Sequence, residues 1–258
     1  MGYFEASWSL RGKRAVVTGA GRGIGRCIAQ ALSAAGAEVL VHFYNSEDAA
    51  GETVEAIAGR GGDAWSARAD LTDSDQVSAL FSEIDARWGS LDILVNNAGS
   101  LIDRCRVEDL SDDLIEAVIR TNFHTALYCC RAAIPLLRKG SLPSIVNISS
   151  IAAHNGGADG STLYAAMKGA LVSFTRGLAK ELGPEVRVNA VAPAAVLTDF
   201  LKENISRQRL DRITEATPMS RLGRGEDTAA AVVFLCGAGS SYITGELIDV
   251  SGGRKLAF

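Results

Sequence analysis

The sequence predicts an α/β fold: a doubly wound, seven-stranded parallel sheet with helices on both faces. Three observations carry this. Short runs rich in Val, Ile, Leu and Ala alternate with amphipathic stretches of helical length. Strands separated by helices of about 10–15 residues require right-handed crossovers, and therefore a parallel sheet. The first apolar run opens into the turn Thr18-Gly19-Ala20-Gly21-Arg22-Gly23-Ile24-Gly25, and a helical pattern follows directly.

The elements follow in order. A strand is expected over 14–18 and a helix over 24–35, stopped at Gly36. A second strand covers 38–43, and the helix 47–58 ends at the glycines Gly59, Gly61 and Gly62. Strand 64–69 precedes helix 74–87, and strand 92–96 precedes helices at 111–120 and 123–138. Strand 144–149, helix 162–182 and strand 187–191 continue the alternation. The segment 194–216 mixes polar and apolar residues, and helix 226–236 and strand 247–250 close the chain. No low-complexity linker divides it and no solenoid-length repeat occurs. Residues 1–258 are read as one domain, with 1–10 an N-terminal extension.

Composition narrows the class. Of the 258 residues, 47% are apolar and only 6% aromatic, so the core is aliphatic and alanine-rich. The net charge of -4 without a basic block lacks the footprint of nucleic-acid binding. No apolar run reaches the roughly 18 residues of a membrane span. The first residues lack a secretory apolar region, so the cytoplasm is the expected location. The cysteines (Cys27, Cys105, Cys129, Cys130, Cys236) are odd in number and form no Cys-x-x-Cys pair. They read as small buried hydrophobes in a reducing compartment. The histidines His42, His124 and His154 are scattered, which argues against zinc.

The glycine turn has a mechanical reading. Gly19, Gly21, Gly23 and Gly25 permit a tight turn, let the backbone approach a pyrophosphate and let the helix pack close to the strand. The helix N-terminus beginning near Ile24 then offers N–H groups and a positive dipole end to the anion. Dinucleotide folds that take NAD usually place Asp or Glu about 20 residues on, at the end of the second strand. Here that stretch is His42-Phe43-Tyr44-Asn45-Ser46. The missing acid removes a repulsion against a 2′-phosphate. Arg22 supplies charge, and Asn45 and Ser46 supply hydrogen bonds, so NADP(H) is favoured over NAD(H).

Tyr164-Ala165-Ala166-Met167-Lys168 puts a phenol and an ammonium at i and i+4 on one helical face. A nearby cation favours phenolate and lowers a tyrosine pKa, which suits a general acid/base.

These pieces fall in one order: TGAGRGIG at 18–25, Asp70 after the third strand, NNAG at 96–99, Asn122, ISS at 148–150, YAAMK at 164–168 and ITGELIDVSGG at 243–253. In that order the chain resembles the short-chain dehydrogenase/reductase family, and its 3-oxoacyl-[acyl-carrier-protein]-reductase-like branch in particular, over about 10–253. The resemblance implies a Rossmann fold with sheet order 3-2-1-4-5-6-7 and reversible hydride transfer between nicotinamide and a ketone or secondary alcohol. It implies that Ser150 hydrogen-bonds the substrate oxygen and that Tyr164 exchanges the proton. Lys168 would hold the nicotinamide ribose and depress the tyrosine pKa, and Asn122 would keep a water in the relay. Asp70, with Leu71 beside it, would contact adenine. Asn96, Ala98 and Gly99 would line the adenosine ribose, and Ile148 would wall the nicotinamide. Pro193 and Thr198 would surround the carboxamide, and Tyr44 would lie with Asn45 and Ser46 at the adenosine end. It further implies a homotetramer, with subunit contacts at Ile243–Gly253 and in the helices at 123–138 and 162–182.

Two departures stand out. Ser150 lies 14 positions before Tyr164, one more than the family's usual spacing, and Ser149 beside it is the alternative. Ala194 follows Pro193 where the family usually has glycine, which would be strained if that turn needs positive φ. Substrate walls are expected from 151–163 and from the lid segment 194–216, with Val196, Leu197, Phe200 and Leu201. His154 and Asn155 are either substrate contacts or solvated loop residues. Arg104, Arg106, Arg138 and Lys139 are available for a basic rim facing an acyl carrier. A 3-oxoacyl thioester, a sugar or polyol and a small cyclic ketone remain open as substrates. A dinucleotide sensor without turnover is the reading from another class.

Overall fold

The computed structural model describes residues 7–198 and 206–256. Its sheet is seven-stranded and all parallel, in the order β3-β2-β1-β4-β5-β6-β7. The strands are β1 Arg14–Val17, β2 Glu38–Phe43, β3 Ala64–Arg68, β4 Ile93–Asn96, β5 Ser144–Ile148, β6 Arg187–Pro193 and β7 Leu247–Val250. The crossovers carry α1 Gly23–Ala34, α2 Glu47–Ala58, α3 Ser74–Trp88, α4 Asp112–Ile119, α5 Thr125–Leu137, the short α6 Ala152–Asn155 and α7 Thr162–Leu182. The helices α8 Arg207–Glu215 and α9 Gly225–Cys236 lie between β6 and β7.

The strand sequence builds two cores, because successive side chains leave opposite faces. Val16, Leu40, Leu94, Ile145 and Val188 meet α3, α5 and α7 on one face. Ala15, Val17, Val39, Val41, Ile93, Val95 and Val146 meet α1, α2 and α9 on the other. With both faces covered, the central strands read as continuous apolar runs. In α1 the spacing of Gly25, Ile28, Ala29 and Leu32 is one helical stripe, and it is the buried one. Of the N-terminal extension, Ser7 and Leu10 are buried, and the Leu10 N–H donates to the Ala35 carbonyl.

Three features differ from expectation. The gap between the helices expected at 111–120 and 123–138 is a π turn, Arg120–His124, so α4 and α5 run on without a break. The segment 151–163 contains α6, stopped by Gly156 at φ +77. The segment 194–216 contains α8, while Phe200 and Leu201 lie outside the described residues.

Helix capping shows where the fold leaves a site. Asp73 caps α3 by accepting from the Asp75 and Gln76 N–H groups, and Ser111 caps α4 by accepting from Leu114. At α1 the cap position is Arg22, whose side chain caps nothing. The first N–H groups of α1 thus have no side-chain cap from Arg22, and they lie where β1 ends, at the C-terminal edge of the sheet. That edge is where open parallel sheets bind ligands.

Candidate active site

The glycine turn is held from behind. Gly19 and Gly23 take φ of +61 and +56, the left-handed region that glycine tolerates. A Cβ on Gly25 would fall 2.2 Å from the Gly19 carbonyl oxygen, so α1 approaches the turn as only glycine allows. A Cβ on Gly21 would fall 3.2 Å from the Ala50 nitrogen, so that glycine lets the turn rest on the start of α2. Ile24 packs against the core beneath. Asn97, to which the sequence reading gave no role, pins the turn. Its Nδ2 donates to the Thr18 carbonyl at 2.9 Å and to the Gly19 carbonyl at 3.1 Å. Thr18 Oγ1 in return accepts from the Asn97 and Ala98 N–H groups, both at 2.9 Å. His42 is the second residue missed: fully buried, it links Gly19 on β1's side to Ala69 on β3's side.

At the adenosine end, Tyr44 and Asn45 are exposed and Ser46 precedes α2 without capping it. Asp70 Oδ1 accepts from the Thr72 N–H and hydroxyl. The Leu71 side chain belongs to the core, so only its backbone is left for a ligand. Asn96 also turns inward. It is buried, and its Nδ2 donates to Asn147 Oδ1 at 2.8 Å and to Cys130 Sγ at 3.2 Å. Its Oδ1 has no partner. In the same loop Gly99 is exposed and Ala98 half-buried against the core.

At the reaction end, β5 and α7 bring the predicted residues together. Ser149 and Ser150 separate cleanly. Ser149 is buried and donates to the Lys168 carbonyl at 2.9 Å, a contact internal to the fold. Ser150 acts on the Tyr164 phenol, favouring its ionised form, and its Oγ accepts from the Ala152 N–H at 3.1 Å. Lys168 is buried, with Nζ donating to the Ile148 carbonyl at 3.0 Å and lying 5.6 Å from the centre of the Tyr164 ring. A Cβ on Gly99 would fall 3.1 Å from Lys168 Nζ and 3.0 Å from Asn122 Oδ1, so glycine is what lets the three converge.

One expectation changes here. Lys168 was expected to depress the Tyr164 pKa. Instead burial raises the phenol, opposed by the Ser150 hydrogen bond. Lys168 adds nothing to that shift; its own burial lowers its pKa to about 8. Asn122, expected in the relay, uses its side-chain amide within the fold: Nδ2 donates to the Ser100 and Val118 carbonyls, and Oδ1 accepts from the Ser100 N–H. It sits in the π turn, a distortion that helices adopt at functional positions.

The rim is built from three segments. Pro193 ends β6, and Ala194 takes an ordinary backbone conformation with its N–H on the Val250 carbonyl, so the feared strain is absent. Thr198 lies over the glycine turn: its Cγ2 is 3.4 Å from where a Gly23 Cβ would be. His154 is exposed at the rim and pairs with Asp249 at 2.8 Å. Asp159 joins the rim by pairing with Arg209 of α8 at 2.6 Å, and Arg104 donates to the Ala158 and Asp159 carbonyls. Arg138 and Lys139 lie elsewhere, on Glu185 and Asp85. Among the described residues no group of His, Cys, Asp and Glu could hold a metal. No helix among them is long and apolar enough to cross a membrane.

An uncapped helix N-terminus, a turn that only glycine can form and a buried lysine beside a Ser–Tyr pair fit a nicotinamide dinucleotide. Fold and site thus define an NAD(P)-dependent oxidoreductase of ketones and secondary alcohols. A family model described as Enoyl-(Acyl carrier protein) reductase matches residues 19–255. The chain is 36% identical over 252 residues to 3-oxoacyl-[acyl-carrier-protein] reductase FabG of Staphylococcus aureus, covering 95% of this chain and 98% of that one. It superposes on 7 alpha-hydroxysteroid dehydrogenase complexed with NADH and 7-oxo glycochenodeoxycholic acid at a TM-score of 0.92, with 36% identity and 98% of both chains covered. A gluconate 5-dehydrogenase from Burkholderia cenocepacia, in complex with NADP and tartrate, gives a TM-score of 0.92 at 29% identity, covering 99% of this chain and 100% of that one. The chain belongs to the short-chain dehydrogenase/reductase family.

Proposed function

We propose that this protein is an NADP(H)-dependent ketone reductase, reversible on secondary alcohols, with 3-oxoacyl thioesters as its leading substrate class. The observation that carries the reading is the meeting of Ser150, Tyr164 and Lys168 at the sheet edge onto which α1 opens uncapped. Bound nicotinamide supplies or accepts the hydride. Tyr164 donates its phenolic proton to the substrate oxygen during reduction and takes it back during oxidation. Ser150, beside Tyr164, donates to the same oxygen and stabilises its developing charge. Lys168, with a pKa brought down to about 8, gains and loses a proton near working pH and so recharges Tyr164. Asn122 would support that relay by holding the Ser100 backbone beside Gly99.

The preference for NADP(H) rests on Arg22 and on the absence of an acid over Tyr44–Asn45–Ser46. Gly19, Gly21, Gly23, Ile24 and Gly25 would hold the pyrophosphate. Asp70, the Leu71 backbone, Ala98 and Gly99 would hold the adenosine, and Pro193 and Thr198 the carboxamide. Residues 1–258 act as one domain with 194–216 as its lid. A homotetramer in the cytoplasm agrees with the resemblance of Ile243–Gly253, α5 and α7 to the family's subunit contacts and with five free cysteines.

Similarity to FabG favours the 3-oxoacyl reading, and likeness to the gluconate dehydrogenase favours a sugar or polyol as the second. The test is a panel of 3-oxoacyl thioesters, cyclic ketones and keto-sugars with NADPH and NADH, with the matching alcohols run in reverse. Turnover of a 3-oxoacyl thioester with NADPH is expected. NADPH binding with no turnover across the panel would instead make the protein a dinucleotide sensor.

A further inference from the structure

We propose that Arg68 is a specificity-determining residue, which grips the 2′-phosphate of NADP(H) from the side opposite Arg22. The inference rests on the NADP(H) preference stated above and gives it a second cation.

Arg68 is the last residue of β3, the edge strand, and pairs in register with Phe43 at the end of β2. Its Nε donates to the Tyr44 carbonyl at 3.0 Å. Its guanidinium carbon lies 5.6 Å from the centre of the Tyr44 ring. These two contacts fix the fork's orientation while leaving both terminal nitrogens without a partner among the described residues. Arg68 forms no ion pair among them either, and its side chain is exposed.

Arg22 flanks the same segment from the other side. Its neighbour Gly21 rests on it: a Cβ there would fall 3.5 Å from the Ser46 carbonyl oxygen and 3.2 Å from the Ala50 nitrogen. Arg22 is also exposed and without an ion pair among the described residues. Nearby Arg26 shows the contrast, because it is tied to the Gly21 and Ala49 carbonyls and to Glu52. Arg68 thus sits on Tyr44 itself and the exposed Arg22 follows the glycine that rests on Ser46, in a chain whose net charge is -4.

In dinucleotide folds the ribose 2′ position falls at the end of the second strand. A phosphate there would meet the Arg68 fork, which matches it in shape and charge. Anchoring on Tyr44 means little side-chain freedom is lost on binding. A ribose 2′-hydroxyl offers no charge for such a fork, so Arg68 should act on NADP(H) alone.

The test uses Arg68→Gln and Arg68→Lys, with binding of NADPH, NADH, 2′,5′-ADP and 5′-ADP measured by calorimetry. Loss of a charged hydrogen bond predicts that Arg68→Gln weakens NADPH and 2′,5′-ADP about ten- to a hundredfold. NADH and 5′-ADP should bind as in the wild type, and Arg68→Lys should fall between. Wild type that prefers NADPH, with Arg68→Gln keeping that preference, overturns the role of Arg68 alone. Equal weakening of NADH and NADPH overturns it too, since that marks a merely structural residue. Wild type indifferent to the 2′-phosphate overturns the NADP(H) reading itself, and this inference with it.

Discussion

The Gly19 main-chain N–H donates to Nδ1 of His42 across 3.1 Å. Nδ1 must therefore be the unprotonated nitrogen, and Nε2 carries the proton it gives to the Ala69 carbonyl at 3.0 Å. One neutral imidazole thus ties the glycine turn to the end of β3, the two walls between which a dinucleotide would lie. Burial pushes its pKa down to about 4, against a smaller opposing effect of the Ala69 carbonyl.

That burial makes stability depend on pH. The unfolded chain protonates His42 below about 6.5, whereas the native state holds it neutral down to about 4. Between those values the unfolded state binds more protons, so stability falls as pH falls, by on the order of 3 kcal/mol across the window. Denaturant unfolding of His42→Gln between pH 6.5 and 4 should show a shallower loss than the wild type. Parallel curves would mean that His42 does not remain neutral in the native state.

The two neighbouring serines should divide stability from turnover. Ser149→Ala removes a hydrogen bond to the Lys168 carbonyl. It should cost about 1 kcal/mol, a Tm drop of roughly 2–4 °C, with kcat nearly unchanged. Ser150→Ala should leave Tm in place and lower kcat about a hundred- to a thousandfold. Thermal melts beside steady-state rates read both, and the reverse division would exchange the roles assigned to these residues.

What was legible in the sequence was what repeats locally. Strand β2, helices α2 and α7 and strand β7 begin and end where their periodicity and glycine stops place them. The sheet order came with the family resemblance, since periodicity does not say which strands are neighbours. Helix α8 was hidden because Leu210 and Ile213 are its only aliphatic residues, too few to mark a stripe. The π turn was hidden because one shifted hydrogen-bond register leaves the apolar pattern running. Ser150, Tyr164 and Lys168 stood out as residue types at motif spacing. Asn97, His42 and Arg68 did not, because each acts on main-chain atoms brought near only by the sheet, as His42 does on Gly19 from β2. The direction of the Tyr164 shift was hidden for a related reason: the i, i+4 spacing shows Lys168 near Tyr164 but not the burial of the phenol.

The central claim is that Tyr164 exchanges the proton, and Tyr164→Phe tests it most directly. The ring keeps its packing and loses only the hydroxyl shared with Ser150. With an accepted ketone and saturating NADPH, kcat should fall about a hundred- to ten-thousandfold while NADPH binds with wild-type affinity. A Tyr164→Phe enzyme that turns over at the wild-type rate would contradict the account.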